Sequence, residues 1–153
     1  VLVDLKTMDA GEYESEPFYK AGPDICTVLG ASGIATIKGV IAAAKKYGKE
    51  CQVDMINVDD KESLAKEAVA AGADIIGVHT GLDAQAAGHT PFADLAAIAA
   101  LNTGAKISVA GGVKAATAQE VKDAGAAIIV AGAAIYGAAD PAAAASEITA
   151  IAH

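Results

Sequence analysis

A single joint, repeated along the chain, constrains the fold more than any other feature. Helical sequence ends on Gly and strand sequence begins within a few residues in Ala21-Gly22-Pro23-Asp24-Ile25-Cys26, Ala71-Gly72-Ala73-Asp74-Ile75-Ile76 and Ala124-Gly125-Ala126-Ala127-Ile128-Ile129. Glycine tolerates the left-handed backbone that lets a helix turn tightly into the next strand. Short β-rich runs recur over 1–5, 24–29, 50–56, 74–79, 106–110 and 127–131, and each is followed by helical periodicity, as over 34–46. Strands joined by helices run parallel, and parallel strands buried on both faces belong either to a doubly wound sheet or to a (β/α)8 barrel.

The polar residues favour the barrel. Strand alternation puts Asp4 and Lys6 on one face of the first run and Gln52 and Asp54 on one face of the third, while His79 and Ser108 sit at the ends of the fourth and fifth. A sheet face that turns polar toward its C-terminal edge is what a barrel mouth requires. Such barrels have eight units in about 250 residues, whereas this chain has six units in 153 residues. Ala110-Gly111-Gly112 and Ala131-Gly132-Ala133, in the last two units, look like phosphate-binding turns, which in these barrels usually follow strands seven and eight. The expected architecture is therefore α/β: a (β/α)8 TIM barrel lacking its first two βα units, with strands three to eight present in one domain over 1–153. The chain opens inside a strand with no initiator Met, signal or capping segment before it, which reads as N-terminal truncation.

Composition narrows the partners. A hydrophobic fraction of 54% suits a heavily buried core, and a net charge of −8 repels phosphate backbones, so nucleic acid is not an expected partner. Any anionic substrate has to be held locally. Cys26 and Cys51 lie singly in apolar runs, outside any CxxC pair, and read as core thiols of a protein in a reducing cytoplasm. No apolar run reaches membrane-spanning length and no cleavable leader is visible, so a soluble chain is expected, with no membrane partner.

The candidate chemistry starts at Asp4-x-Lys6-x-x-Asp9. Buried charge is costly unless paired, so three charges at the end of an apolar strand mean either a salt-bridged core or a catalytic site. Asp4 offers oxygen donors to a hard divalent cation, and Lys6 can hold a developing oxyanion. Asp9, beyond the strand, could reach a substrate hydroxyl or a neighbouring subunit. His79, ending Asp74-Ile75-Ile76-Gly77-Val78-His79, suits proton transfer next to a carbonyl, though a satisfied core histidine fits the same pattern. Asp54 could orient Lys6, bind substrate hydroxyls, or simply pair with Lys6. Gly112, Gly132 and Ala133 bring backbone N–H groups toward helix starts, a site for phosphate, although close packing alone would also call for glycine. His89 and His153 read as solvent-facing.

Taken together, Asp4-Leu-Lys6-Thr-Met-Asp9, Thr27-Val-Leu-Gly30, Ala35-Thr-Ile-Lys-Gly39, Gln52-Val-Asp54-Met, Gly77-Val-His79-Thr-Gly-Leu-Asp83 and Val109-Ala-Gly-Gly112 resemble the 3-hexulose-6-phosphate synthases of the orotidine 5′-phosphate decarboxylase suprafamily. The resemblance implies a Mg²⁺-dependent aldol condensation of formaldehyde with D-ribulose 5-phosphate to a 3-hexulose 6-phosphate, and its reversal, through a cis-enediolate. It implies Asp4 as a metal ligand, Lys6 as the stabiliser of the enediolate, His79 as the proton carrier and Gly112, Gly132 and Ala133 as phosphate holders. It also implies a homodimer in which Asp9 serves the partner's site. The related 3-keto-L-gulonate 6-phosphate decarboxylases share the DxKxxD strand and the His but carry Arg three residues after it, where this chain has Leu82. Family members further carry an Asp on strand one and a metal-binding Glu on strand two, and neither strand is in the sequence. A third reading is therefore an inactive partial barrel that only associates with a complementary chain.

Overall fold

The computed structural model describes residues 1–152; His153 lies outside the described residues. Six strands alternate with helices: β1 (Leu2–Thr7), α1 (Gly11–Ala21), β2 (Ile25–Leu29), α2 (Ile34–Lys46), β3 (Glu50–Asp54), α3 (Lys61–Ala71), β4 (Ile75–His79), α4 (Leu82–Ala86), α5 (Phe92–Ala100), β5 (Lys106–Ala110), α6 (Ala115–Asp123), β6 (Ile128–Val130), α7 (Ala133–Tyr136) and α8 (Pro141–Ala152). The strand order is the chain order, as in a (β/α) barrel and unlike a doubly wound sheet. The chain forms two compact units, Val1–Gly77 with Thr103–Ala105, and a second from Val78 to Asn102 and from Lys106 onward.

In the first unit β1, β2, β3 and the start of β4 pair in parallel. The repeated joints do what their sequence predicts: Gly22 and Gly72 cap α1 and α3 with φ of 119° and 105°. The Asp that follows ties one strand to the next, since the Cys51 N–H donates to Asp74 and Lys49 donates to Asp24. Cys26 and Cys51 are free, buried thiols among Val28, Val53 and Ile75. Burial pushes the Cys51 thiol up to about 12, helped by the nearby charge of Asp74. Helices α1 and α2 touch backbone to backbone, because a Cβ on Gly11 would stand 2.1 Å from the Thr36 carbonyl oxygen.

In this unit two strands, β1 and β3, differ from expectation at their C-terminal ends, and both differences shape the site. β1 runs to Thr7 rather than ending at residue 5, and its register with β2 slips: Val3 lies opposite Cys26, yet Thr7 lies opposite Val28. Four steps along β1 thus match two along β2, a bulge in which Asp4, Leu5 and Lys6 have no regular ladder positions. β3 stops at Asp54 rather than at 56, because the Asp54 carboxylate accepts the Ile56 N–H and Asn57 turns the chain with φ of 55°.

In the second unit β5 and β6 pair in parallel, Ser108 to Ile128 through Ala110 to Val130. β6 has three residues where 127–131 was expected. The core of this unit gathers Leu95, Ile98, Val109, Val121 and Ile148, all buried. Lys122 on α6 donates to the Ile151 carbonyl of α8, holding the last helix in place.

Candidate active site

The first unit holds the charged group. Lys6 Nζ lies 2.6 Å from Asp4 Oδ2 and 3.2 Å from Asp54 Oδ2, so one ammonium bridges carboxylates from β1 and β3. Asp4 and Lys6 meet, as alternation predicted, but not by alternation: Lys6 sits in the bulge with φ of 48°. A left-handed backbone costs a non-glycine residue roughly 1–2 kcal/mol, so other bonds must hold it. The Lys6 N–H donates to Thr27 Oγ1 at 2.9 Å, and that hydroxyl donates in turn to Asp4 Oδ1 at 2.8 Å.

Electrostatics fixes the state of the ammonium. Burial draws the Lys6 pKa down, but its hydrogen bond to Asp4 and the charges of Asp54 and Asp4 outweigh that pull and leave it above the ordinary lysine value. Lys6 is therefore a fixed cation at neutral pH, suited to holding an oxyanion and unsuited to removing a proton. The Asp54 side chain is only 4% exposed whereas that of Asp4 is 53% exposed. Asp54 is thus the internal counter-ion and Asp4 the carboxylate that faces outward. Among the described residues no group of three or more His, Cys, Asp or Glu could enclose a metal ion. A magnesium-like cation, however, needs only one or two carboxylates beside water and substrate oxygens. Asp4 fits that requirement, having lone pairs beyond those engaged by Thr27 and Lys6. Asp9 stands apart from this group, exposed at the start of α1, where it accepts the Ala10 N–H.

The second unit holds the other predicted residues. His79 ends β4 and is half-buried. The Thr80 N–H donates to the Ala110 carbonyl, and Gln85 Nε2 donates to the Thr80 carbonyl. Gly111 and Gly112 follow with φ of 109° and 71°. A Cβ on Gly111 would stand 2.3 Å from the Thr80 carbonyl oxygen, so glycine is obligatory there on two counts. Gly132 caps α7 and Ala133 opens it, so the first N–H groups of that helix have no intrahelical acceptor. A Cβ on Gly132 would meet Tyr136 at an ordinary 3.5 Å, and space alone does not demand glycine there.

Sequence reasoning missed Thr27 and Thr80 as parts of the two sites. Thr27 did leave a signal, a lone hydroxyl within the apolar run from Ile25 to Leu29.

Residues 1–148 match the orotidine 5′-phosphate decarboxylase / HUMPS family. The 3-hexulose-6-phosphate synthase of Methylomonas aminofaciens is 71% identical over 152 residues, covering 99% of this chain and 73% of its own length. This chain belongs to the 3-hexulose-6-phosphate synthase family. A crystal structure of the family's member from Salmonella typhimurium superposes with a TM-score of 0.95 at 43% identity, over 99% of this chain and 72% of that one. A crystal structure of the 3-keto-L-gulonate-6-phosphate decarboxylase from Streptococcus mutans follows at a TM-score of 0.84 and 26% identity, over 98% and 72%. These likenesses give the chain the α/β fold with parallel strands of a TIM-like barrel family. Within the synthase family the chain is an enzyme of the lyase type.

Proposed function

We propose that this chain carries the condensation of formaldehyde with D-ribulose 5-phosphate to 3-hexulose 6-phosphate, and its reversal. The observation that carries the reading is Lys6, held as a cation by Asp4 and Asp54, in a chain so similar to a named synthase. His79 takes the proton from the carbon next to the substrate carbonyl, and Lys6 holds the negative charge that develops on the enediolate oxygen. The enediolate carbon then bonds to the formaldehyde carbon, and His79 returns its proton to the new alkoxide. Asp54, buried behind Lys6, keeps the ammonium charged and aimed throughout. The N–H groups at Gly112, Gly132 and Ala133 hold the substrate phosphate. Asp4 would hold Mg²⁺, which would supply Lewis-acid polarisation of the substrate when bound.

The same reading places the six βα units as the third to eighth of an eight-unit barrel and makes the working form a cytoplasmic homodimer, with Asp9 serving the partner's site. Leu82 speaks against the decarboxylase alternative: at the start of α4 and exposed, it can neither hold a proton-delivering water nor bind a carboxylate.

The test is formaldehyde consumption by the purified chain with ribulose 5-phosphate, in Mg²⁺ and again in EDTA. Metal-dependent consumption is expected. A folded sample that consumes none would overturn the reading for this chain and leave the inactive partial barrel; turnover of keto-gulonate 6-phosphate without formaldehyde would install the decarboxylase instead.

A further inference from the structure

We infer that Thr27 is a positioning residue whose single hydroxyl sets both Lys6 and Asp4 for the reaction. A threonine hydroxyl has one donor and two acceptor sites, and here both kinds are used on the same short segment of β1. Thr27 Oγ1 accepts the Lys6 N–H at 2.9 Å and donates to Asp4 Oδ1 at 2.8 Å. The residue sits mid-strand in β2, 1% exposed, so water does not compete for either bond.

The bulge explains why the hydroxyl is needed. The register slip between Val3 and Thr7 takes Lys6 out of the regular ladder, and its left-handed backbone turns its N–H toward a side chain. With Thr27 as acceptor, the strained φ of 48° has a bond that depends on it. The other end of the same hydroxyl fixes the Asp4 carboxylate, whose second oxygen grips Lys6 Nζ at 2.6 Å. Thr27, Asp4 and Lys6 thus close a ring of hydrogen bonds that pins the ammonium from its backbone and from its tip. A plain strand would not require this, since valine has the same shape and at least the same strand preference.

The kinetic arm of this inference rests on the synthase reading; the backbone arm does not. Thr27→Val is expected to lower kcat by about tenfold to a hundredfold with KM nearly unchanged, as for other groups that orient a catalytic side chain. Thr27→Ser, which keeps the hydroxyl, is expected to restore most of the loss. Amide hydrogen exchange of the chain without substrate or metal supplies the second readout. In Thr27→Val the Lys6 amide should lose protection while those of Cys26 and Val28 keep theirs, and in Thr27→Ser it should stay slow. A folded Thr27→Val with unchanged Lys6 protection, or a Ser variant no better than the Val variant, would overturn the inference. Should the Val variant not fold, the unmutated chain decides, because a Lys6 amide that exchanges as fast as an open loop amide is incompatible with the bond. Absence of any formaldehyde consumption would remove the functional proposal and still leave the exchange result to judge Thr27.

Discussion

His79 apart, the two units present their candidate chemistry in opposite ways. In the first, the candidate functional atoms belong to side chains, Asp4, Lys6, Thr27 and Asp54, of which Thr27 and Asp54 lie on almost fully buried strands. In the second, the candidate phosphate turns offer backbone, through Gly111, Gly112, Gly132 and Ala133 next to short elements such as the three-residue β6. A charged group needs counter-charges and a rigid frame, and the half-exposed Asp4 and Lys6 of the edge strand β1 receive them from buried Thr27 on β2 and Asp54 on β3. A backbone N–H is carried by every residue but proline and needs only an unobstructed approach, so it can be placed on short, half-exposed turns. The comparison teaches that the charged group should fail through loss of an atom and the phosphate turns through gain of one.

The largest expected effect tests the first half of that contrast. Lys6→Ala removes the cation from between two carboxylates, and formaldehyde turnover should fall by roughly a hundredfold to a thousandfold, the usual cost of losing an oxyanion-stabilising group. Asp4→Ala should abolish the metal-dependent part of turnover and leave circular dichroism nearly unchanged. A collapsed fold in that variant would mean that the ion pair is structural, and the contrast between the units would break.

Next in size is the gain of an atom in the second unit. Gly111→Ala meets the Thr80 carbonyl at 2.3 Å and forces φ of 109° on an alanine, so urea denaturation should show a loss of about 2–3 kcal/mol. Gly11→Ala makes the matching experiment in the first unit, where the added methyl meets the Thr36 carbonyl at 2.1 Å. A loss of about 2 kcal/mol is expected there from prising α1 off α2, without a change in the Lys6 amide. Unchanged turnover of Gly111→Ala at a temperature where it is folded would show that Gly111 acts on stability alone.

The smallest effect is a pH dependence confined to the first unit. Burial raises the Cys51 thiol to about 12, whereas an unfolded thiol ionises near about 8.5. The unfolded chain therefore releases this proton first, and the fold loses stability as pH rises from about 8.5 toward 12. The loss should reach about 1 kcal/mol near pH ~9.5. Cys51→Val should reduce that slope without removing it, because burial also raises the Cys26 thiol, and the native Cys51 thiol should resist alkylation at neutral pH; rapid labelling of the folded chain would contradict its burial.

Much of this was legible beforehand. The helix expected over 34–46 is α2, Ile34–Lys46, because a long run of helix formers with apolar periodicity leaves little choice. Gly22 and Gly72 could be read as caps because only glycine makes that turn cheaply. The pairing of Lys6 with both Asp4 and Asp54 was one of the arrangements the residues allowed, and the resemblance gathered the motifs into one family before any geometry was known. Asp9 was less legible, since an exposed carboxylate at a helix start serves equally as a local acceptor for the Ala10 N–H.

By itself the sequence determined the βα alternation, the sites of the tight helix-to-strand turns, the family and the residue types that carry charge, since each rests on local periodicity or on the unique freedom of glycine. Only the tertiary structure decided that β1 bulges against β2, that Lys6 adopts a left-handed backbone, and that Thr27 bonds to both its N–H and Asp4. The reason is physical. A register slip is a relation between two strands, and a lysine with positive φ runs against its own preference, so neither leaves a trace in local propensity and both exist only because bonds made across the sheet outweigh the strain.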